Sequence, residues 1–235
     1  MDIAGIIVAA GKGTRLGDST VGGGGPKALR MLAGKTLVRW SAERLAAGGV
    51  NKLIVVCAPE NRQQFQQSLT GVAADLTLCD GGQTRQVSVS NGLAKLPQGC
   101  QVVLVHDAAR PLVPPMLVKR VIAAVVSGAE VVVPVVPMAD TIRQLTVYGS
   151  RVVDRSRLRG VQTPQGFCPK VLVDSHNKAD SKDLTDDAGV CEAAGYKVTM
   201  VAGDSAAMKI TTPNDFVVAE ALLNAGLVVD GQLED

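Results

Sequence analysis

Five short apolar runs, each followed by a turn or loop, set the narrowest limits on how this chain can fold. They are Ile3–Ala10, Leu53–Cys57, Leu76–Cys79, Val102–Val105 and Val131–Val136. Each has the length of a strand and none carries a charge, so each suits a strand buried on both faces. Helical patterns separate them. Thr36 to Ala47 can place Leu37, Trp40, Ala42 and Leu45 on one face, with Thr36 as N-cap and Gly48-Gly49 as the stop. Pro59 opens a short polar helix to about Leu69. Thr84–Leu96 and Pro114–Val126 read as two more, the last with Pro114 or Pro115 in its first turn. Repeated strand-helix units imply an α/β fold, Rossmann-like, with a mostly parallel central sheet and helices on both faces. Such sheets bind ligands beyond the carboxyl ends of their strands. That places residues 11–27, 81–85 and 107–110 on one rim.

The first of these loops is rich in glycine and cations: Gly11, Lys12, Gly13, Arg15 and Gly17, then Gly22–Gly25 and Pro26-Lys27. Glycine lets backbone N–H groups approach an anion closely, and cations neutralise it. A dinucleotide fingerprint fails, because Leu16 stands where the third glycine belongs. A P-loop fails too, because Leu29 stands five residues before Gly34-Lys35-Thr36. The alternative is a flexible surface loop.

Beyond residue 136 the alternation stops. Thr141–Val153 reads as a hairpin turning at Gly149, with Leu145, Val147, Val152 and Val153 around it. An isolated hairpin is barely stable, so it packs on a second copy of the chain or folds back on its own body. Arg155, Arg157 and Arg159 cluster after it, as a solvated face would. Gln162–Phe167 reads as a loop. Lys170–Asn177 and Thr185–Ala194 read as helices, with Thr185 a candidate cap. Tyr196–Val201 and Met208–Thr211 read as strands, and Pro213–Ala225 as a closing helix. Leu227–Asp235 has no periodicity and is expected to fray.

The 24 basic and 22 acidic residues leave a formal charge of +2, which argues against a bulk nucleic-acid binder. No apolar run has the length of a membrane span, and no basic leader precedes the first strand, so a cytoplasmic protein is expected. The five cysteines are scattered without a C-x-x-C pair, and there are two histidines. Buried thiols account for them better than zinc does.

Asp107 ends a strand and Arg110 follows it in the same loop. A carboxylate there suits Mg²⁺ (or another divalent cation), which takes one or two carboxylates plus substrate phosphates. His106 reads as a core or turn histidine rather than a base. No nucleophile stands beside a base. Phosphoryl or nucleotidyl transfer needs neither, because it runs on positioning, metal and cations. The candidate cations are Lys12, Arg15, Lys27 and Lys209.

The chain resembles the 2-C-methyl-D-erythritol 4-phosphate cytidylyltransferases over nearly its whole length. The resemblance rests on Ala9-Ala10-Gly11-Lys12-Gly13-Thr14-Arg15, Pro26-Lys27, Gly81-Gly82 with Arg85 and Ser88-Val89, and Val105–Pro111. It continues in Asp140-Thr141, Gln162–Gln165, Thr185–Ala188 and Lys209–Thr211. It implies a single domain over residues 1–226, a dimerisation arm over 138–160, a tail over 227–235, and a homodimer. The implied reaction joins CTP and methylerythritol phosphate into the CDP-linked alcohol and pyrophosphate, in non-mevalonate isoprenoid biosynthesis. By motif, Arg15, Lys27 and Lys209 would be catalytic. Ala9, Ala10, Gly11, Gly13, Gly82, Gln83, Ser88 and Ala108 would bind the nucleotide. Asp107 would hold the metal and, with Arg110, Thr163, Thr185, Thr141 and Arg155, the acceptor phosphate substrate. The last two would reach the partner subunit's site. Val8, Gln83 and the long Gly22–Gly25 run depart from the usual family pattern. Two alternatives are a ribitol 5-phosphate cytidylyltransferase and a non-catalytic nucleotide sensor on the same fold.

Overall fold

The computed structural model describes residues 1–11, 21–179 and 184–228. In chain order, strand β1 (Ile3–Val8) leads to a short hairpin, β2 (Met31–Leu32) and β3 (Lys35–Thr36), and then to helix α1 (Leu37–Ala47). Next come β4 (Lys52–Cys57), α2 (Arg62–Ser68), β5 (Asp75–Asp80), α3 (Arg85–Leu93), β6 (Val102–Asp107), α4 (Pro115–Val126) and β7 (Val131–Pro137). An arm follows, β8 (Ile142–Thr146) paired with β9 (Gly149–Val153), then β10 (Arg159–Val161) and β11 (Gln165–Phe167). The chain closes with α5 (Pro169–Lys178), α6 (Asp187–Ala193), β12 (Val198–Ala202) and α7 (Pro213–Asn224).

β5, β4, β1 and β6 lie side by side and parallel, as the buried apolar runs require. β11 then enters antiparallel between β6 and β7. β10 covers the remainder of that edge of β7, and β12 runs parallel along the other. The sheet is therefore mixed, though mostly parallel. Helices α1 and α4 cover one face, over Ile7, Leu53, Val55 and Leu104. Elements α3, α5 and α6 cover the other, over Ile6, Ile54, Val56, Val105 and Phe167. A fully buried side chain of this kind contributes about 1.5–3 kcal/mol, so the two layers carry most of the fold.

Capping confirms several local readings. Thr36 accepts from Arg39 N at 3.2 Å to start α1, and Thr84 accepts from Val87 N at 3.2 Å to start α3. Three expectations fail. Gln165–Phe167 is a strand rather than loop, because Gly166 lets it pass under α4: a Cβ there would lie 2.5 Å from Val121 Cγ1. Met208–Thr211 forms no strand. It is held instead by one backbone bond, Ile210 N to Ala109 O at 2.8 Å, and by burial of Ile210. α6 begins at Asp187, not Thr185, because Asp186 is its cap and accepts from Gly189 N at 2.9 Å. The start of the expected frayed tail also docks. Val228 is buried, and its carbonyl accepts from Arg44 Nη2 at 2.7 Å.

Candidate active site

Consecutive parallel strands end together, and their loops enclose a cavity of about 840 Å³. The segment after β1 contributes Ala9, Ala10 and Gly11, and Lys27 enters directly after Pro26. The turn after β5 supplies Gly81, Gly82 and Gln83, α3 supplies Arg85 and Ser88, and β6 supplies Asp107 and Ala108. Lys209 completes the wall.

The β1 and β5 loops approach so closely that only glycine fits at position 81, where a Cβ would collide with the Ala10 side chain. The backbone amides of Ala9 and Gly81 are fixed on β4, to the carbonyls of Val56 and Cys57, both at 2.8 Å. Ser88 closes the Gly81–Thr84 turn. Its hydroxyl accepts from Gly82 N at 3.0 Å and donates to Thr84 O at 2.9 Å.

Asp107 is the charged centre. Lys209 Nζ lies 2.6 Å from its Oδ2, and Arg85 Nε lies 3.6 Å from its Oδ1. Burial alone would raise the Asp107 pKa, but Lys209, Arg85 and Arg110 outweigh it and bring it to about 2. Arg85 shows the reverse balance. Burial would lower its pKa, while the carboxylates of Asp187 and Asp107 hold it above the ordinary guanidinium value.

The backbone beneath Asp107 is fixed by a small network. Asp107 N donates to Thr163 Oγ1 at 3.1 Å, and that oxygen lies 3.0 Å from His106 Nδ1. His106 Nε2 lies 3.2 Å from the Arg110 carbonyl. A carbonyl only accepts, so Nε2 carries the hydrogen, and the Thr163 hydroxyl must donate to Nδ1. This arrangement needs a neutral imidazole. Burial supplies it, pushing the His106 pKa down to about 4.

The sequence-derived site therefore divides. Ten assigned residues line the cavity: Ala9, Ala10, Gly11, Lys27, Gly82, Gln83, Ser88, Asp107, Ala108 and Lys209. Gly13 and Arg15 lie outside the described residues. Thr163 is buried behind Asp107, and its hydroxyl is engaged there. Arg110 donates to Ala207 O at 2.7 Å and Val161 O at 3.2 Å, off the cavity wall. Thr185 is exposed ahead of α6. Thr141 and Arg155 lie at the base of the arm, where the Arg155 guanidinium donates to the Ala139 carbonyl. Sequence reading gave no role to Arg85, Asp187 or His176. A cation in the first turn of α3 runs against the helix dipole, and that was a signal that Arg85 meets a carboxylate.

No trio of His, Cys, Asp and Glu side chains gathers into a ready metal site among the described residues. One ionised carboxylate on the wall is nevertheless a donor set that Mg²⁺ accepts when phosphates supply the remaining ligands. No helix among the described residues is long and apolar enough to cross a membrane.

Comparison with known proteins agrees with this geometry. Residues 3–225 match the family model described as IspD, 2-C-methyl-D-erythritol 4-phosphate cytidylyltransferase. A protein of that name from Streptomyces avermitilis is 43% identical, over 97% of this chain and 94% of its own length. One from Frankia casuarinae is 44% identical, over 94% of this chain and 81% of its own. The crystal structure of the enzyme of that name from Thermus thermophilus superposes with a TM-score of 0.77 at 37% identity. It covers 95% of this chain and 100% of its own. On the match of nearly the whole chain, this protein belongs to the 2-C-methyl-D-erythritol 4-phosphate cytidylyltransferase family.

Proposed function

We propose that the cavity transfers a cytidylyl group from CTP to 2-C-methyl-D-erythritol 4-phosphate, in non-mevalonate isoprenoid biosynthesis. The observation that carries this reading is the placement of Lys27, Lys209, Arg85 and Asp107 around one cavity, beside the glycine-bearing ends of β1 and β5.

The acceptor's phosphate is already anionic at neutral pH. Its oxygen forms the new bond to the α-phosphorus as the α–β bridging bond breaks, and the electron pair leaves with pyrophosphate. No proton has to be removed, which suits a cavity without an imidazole base: His106 is buried and neutral behind the wall. The barrier is repulsion between two anions. Fixed cations lower it because they need no reorganisation as charge shifts. Lys27 and Lys209, with Arg15 from the first loop, take that role on this reading. Asp107 would hold Mg²⁺, which neutralises phosphate charge when bound. Glycine-lined backbone at Gly81-Gly82 gives main-chain groups access to a base. Cytosine is separable from uracil there, because its N4 donates where uracil offers an acceptor.

On the same reading Thr141 and Arg155 act on the acceptor in the cavity of a second copy, reached through the arm. Thr163 and Arg110 act from behind Asp107, as supports of its backbone.

Pyrophosphate release tests the assignment. Turnover is expected with CTP plus 2-C-methyl-D-erythritol 4-phosphate. It should be much slower with UTP, or with ribitol 5-phosphate as acceptor. Preference for ribitol 5-phosphate would move the acceptor, and CTP binding without turnover on either would make the protein a sensor.

A further inference from the structure

Behind the cavity wall lies a second carboxylate. Asp187 is 1% exposed. It opens α6, yet the helix does not need it as a cap, since Asp186 already fills that role. Burying a carboxylate is expensive unless it is paired. Asp187 is paired twice: Oδ1 lies 3.2 Å from His176 Nε2, and Oδ2 lies 2.7 Å from Arg85 Nη1. His176 is also buried, and its Nδ1 lies 3.2 Å from Ser90 Oγ. An ionised carboxylate can only accept from the imidazole, so Nε2 carries a hydrogen. A continuous line runs from Ser90 through His176, Asp187 and Arg85 to Asp107.

The two distances from Arg85 differ in a telling way. Its guanidinium forms a close ion pair with Asp187, at 2.7 Å though without an aligned hydrogen bond to Oδ2, and a longer one with Asp107, at 3.6 Å. Guanidinium and carboxylate ordinarily close into a two-point pair. Such a pair would occupy both oxygens of Asp107 and shut out any other ligand. Asp187 prevents this by holding the guanidinium back. Lys209 grips Asp107 at 2.6 Å, but the proposed reaction draws Lys209 toward a phosphate. Arg85 is then the cation still fixed beside Asp107.

We propose that Asp187, backed by His176, is a positioning residue that sets Arg85 at a distance where Asp107 stays oriented on the cavity wall yet open to a ligand. The kinetic part of this rests on the cytidylyltransferase reading, and the positioning part does not.

Asp187→Asn keeps the shape and removes the charge. In wild-type protein the Arg85 guanidinium resonances, identified by their loss in Arg85→Lys, report the contact of Nη1 with Asp187. In Asp187→Asn the Nη hydrogens should exchange faster with water, and the Nε–H resonance should shift as the guanidinium closes on Asp107. Outer partners of this kind change activity by about tenfold to a hundredfold, and here the loss should fall on kcat, with the KM for CTP within about threefold. Asp187→Glu should recover part of it. If Asp187→Asn does not fold, His176→Gln carries the same two measurements with a smaller expected change. An unchanged Arg85 resonance, or a wild-type kcat beside a lower melting temperature, overturns the proposal. A wild-type protein that transfers no cytidylyl group overturns the reading of the cavity instead, while the resonance still judges the role of Asp187.

Discussion

The cavity and the arm break the same rule in opposite directions. At the cavity, charge goes inward: the Asp187 and Asp107 side chains are 1% and 14% exposed, with Arg85 set between them. On the arm, apolar groups go outward: Leu145 is 84% exposed, Val147 93% and Tyr148 100%. The apolar faces of the sheet lie under helices, as water demands. The buried carboxylates are paired within the chain, by Arg85, His176 and Lys209, whereas the exposed apolar cluster at the arm's tip has no such cover. On the reading proposed above, the cavity takes a small anionic ligand and the arm takes a second copy of the chain.

The largest expected effect tests the cavity side. Lys27→Ala should lower kcat by about a hundredfold to a thousandfold, roughly 3–4 kcal/mol of transition-state stabilisation, with little change in the KM for CTP. Steady-state kinetics of pyrophosphate release decide it. A raised KM with kcat kept would mean that Lys27 holds the ground state as firmly as the transition state, and would weaken the contrast between a reactive cavity and a merely adhesive arm.

The next effect comes from the neutral histidine under Asp107. The pKa of His106 falls from 6.5 in the unfolded chain to about 4 in the fold, because burial opposes its charge. The folded state therefore binds fewer protons between those values, and stability rises with pH across that window. Going the other way, about 3 kcal/mol should be lost as pH falls from roughly 6.5 to 4, at 1.36 kcal/mol per pKa unit. Asp107, with its pKa lowered from 3.8 to about 2, adds its own loss only below that window. Urea unfolding at stepped pH measures the slope. His106→Gln should flatten it between pH 6.5 and 4 while leaving the Asp107 limb.

Legibility in the sequence follows the same division. The parallel strands β1, β4, β5 and β6 and their helices were readable because each run is apolar and bounded by local signals, such as Thr36 as the cap of α1 and Gly48-Gly49 as its stop. The rim of the cavity followed from that order alone. β10 and β11 were not readable. Each spans three residues, and their partners lie on β6 and β7, distant in sequence. Nothing local distinguishes such a segment from loop. Position also decided the site residues. Thr163 and Arg110 belong to the motif, and the fold engages Thr163 with His106 and Arg110 with the carbonyls of Ala207 and Val161. Asp187 was invisible for a related reason. An acid at a helix start is explained by capping, and only the fold shows that its neighbour does the capping.

That insertion can be stressed by itself. Gly166 on β11 packs under α4, where an added Cβ would lie 2.5 Å from Val121 Cγ1 and 3.0 Å from Val125 Cγ2. Gly166→Ala should destabilise the fold by about 1–3 kcal/mol through overpacking. Kinetic constants at a temperature well below unfolding should stay within about twofold, since the strain meets α4 rather than the cavity. A selective fall in kcat would instead tie β11 to Asp107 through the Thr163 support.

The smallest effect on the body's own stability, and the sharpest test of the comparison, lies at the arm's tip. Tyr148→Asp with Leu145→Asp places charge where both side chains are exposed, so monomer unfolding should shift by less than about 0.5 kcal/mol. If the arm meets a second copy, sedimentation should move from dimer to monomer, because desolvating two carboxylates opposes association. The melting temperature should also lose its dependence on protein concentration. Activity should fall with the dimer, since Thr141 and Arg155 sit at the base of the arm and act, on the reading above, in the other copy's cavity. Mixing Arg155→Ala, which leaves the tip intact, with Lys27→Ala separates the alternatives. Restored activity in mixed dimers would mean that one chain supplies the cavity and the other the arm. A monomeric wild-type protein with full turnover would leave the exposed tyrosine without a partner and confine function to the region that buries charge.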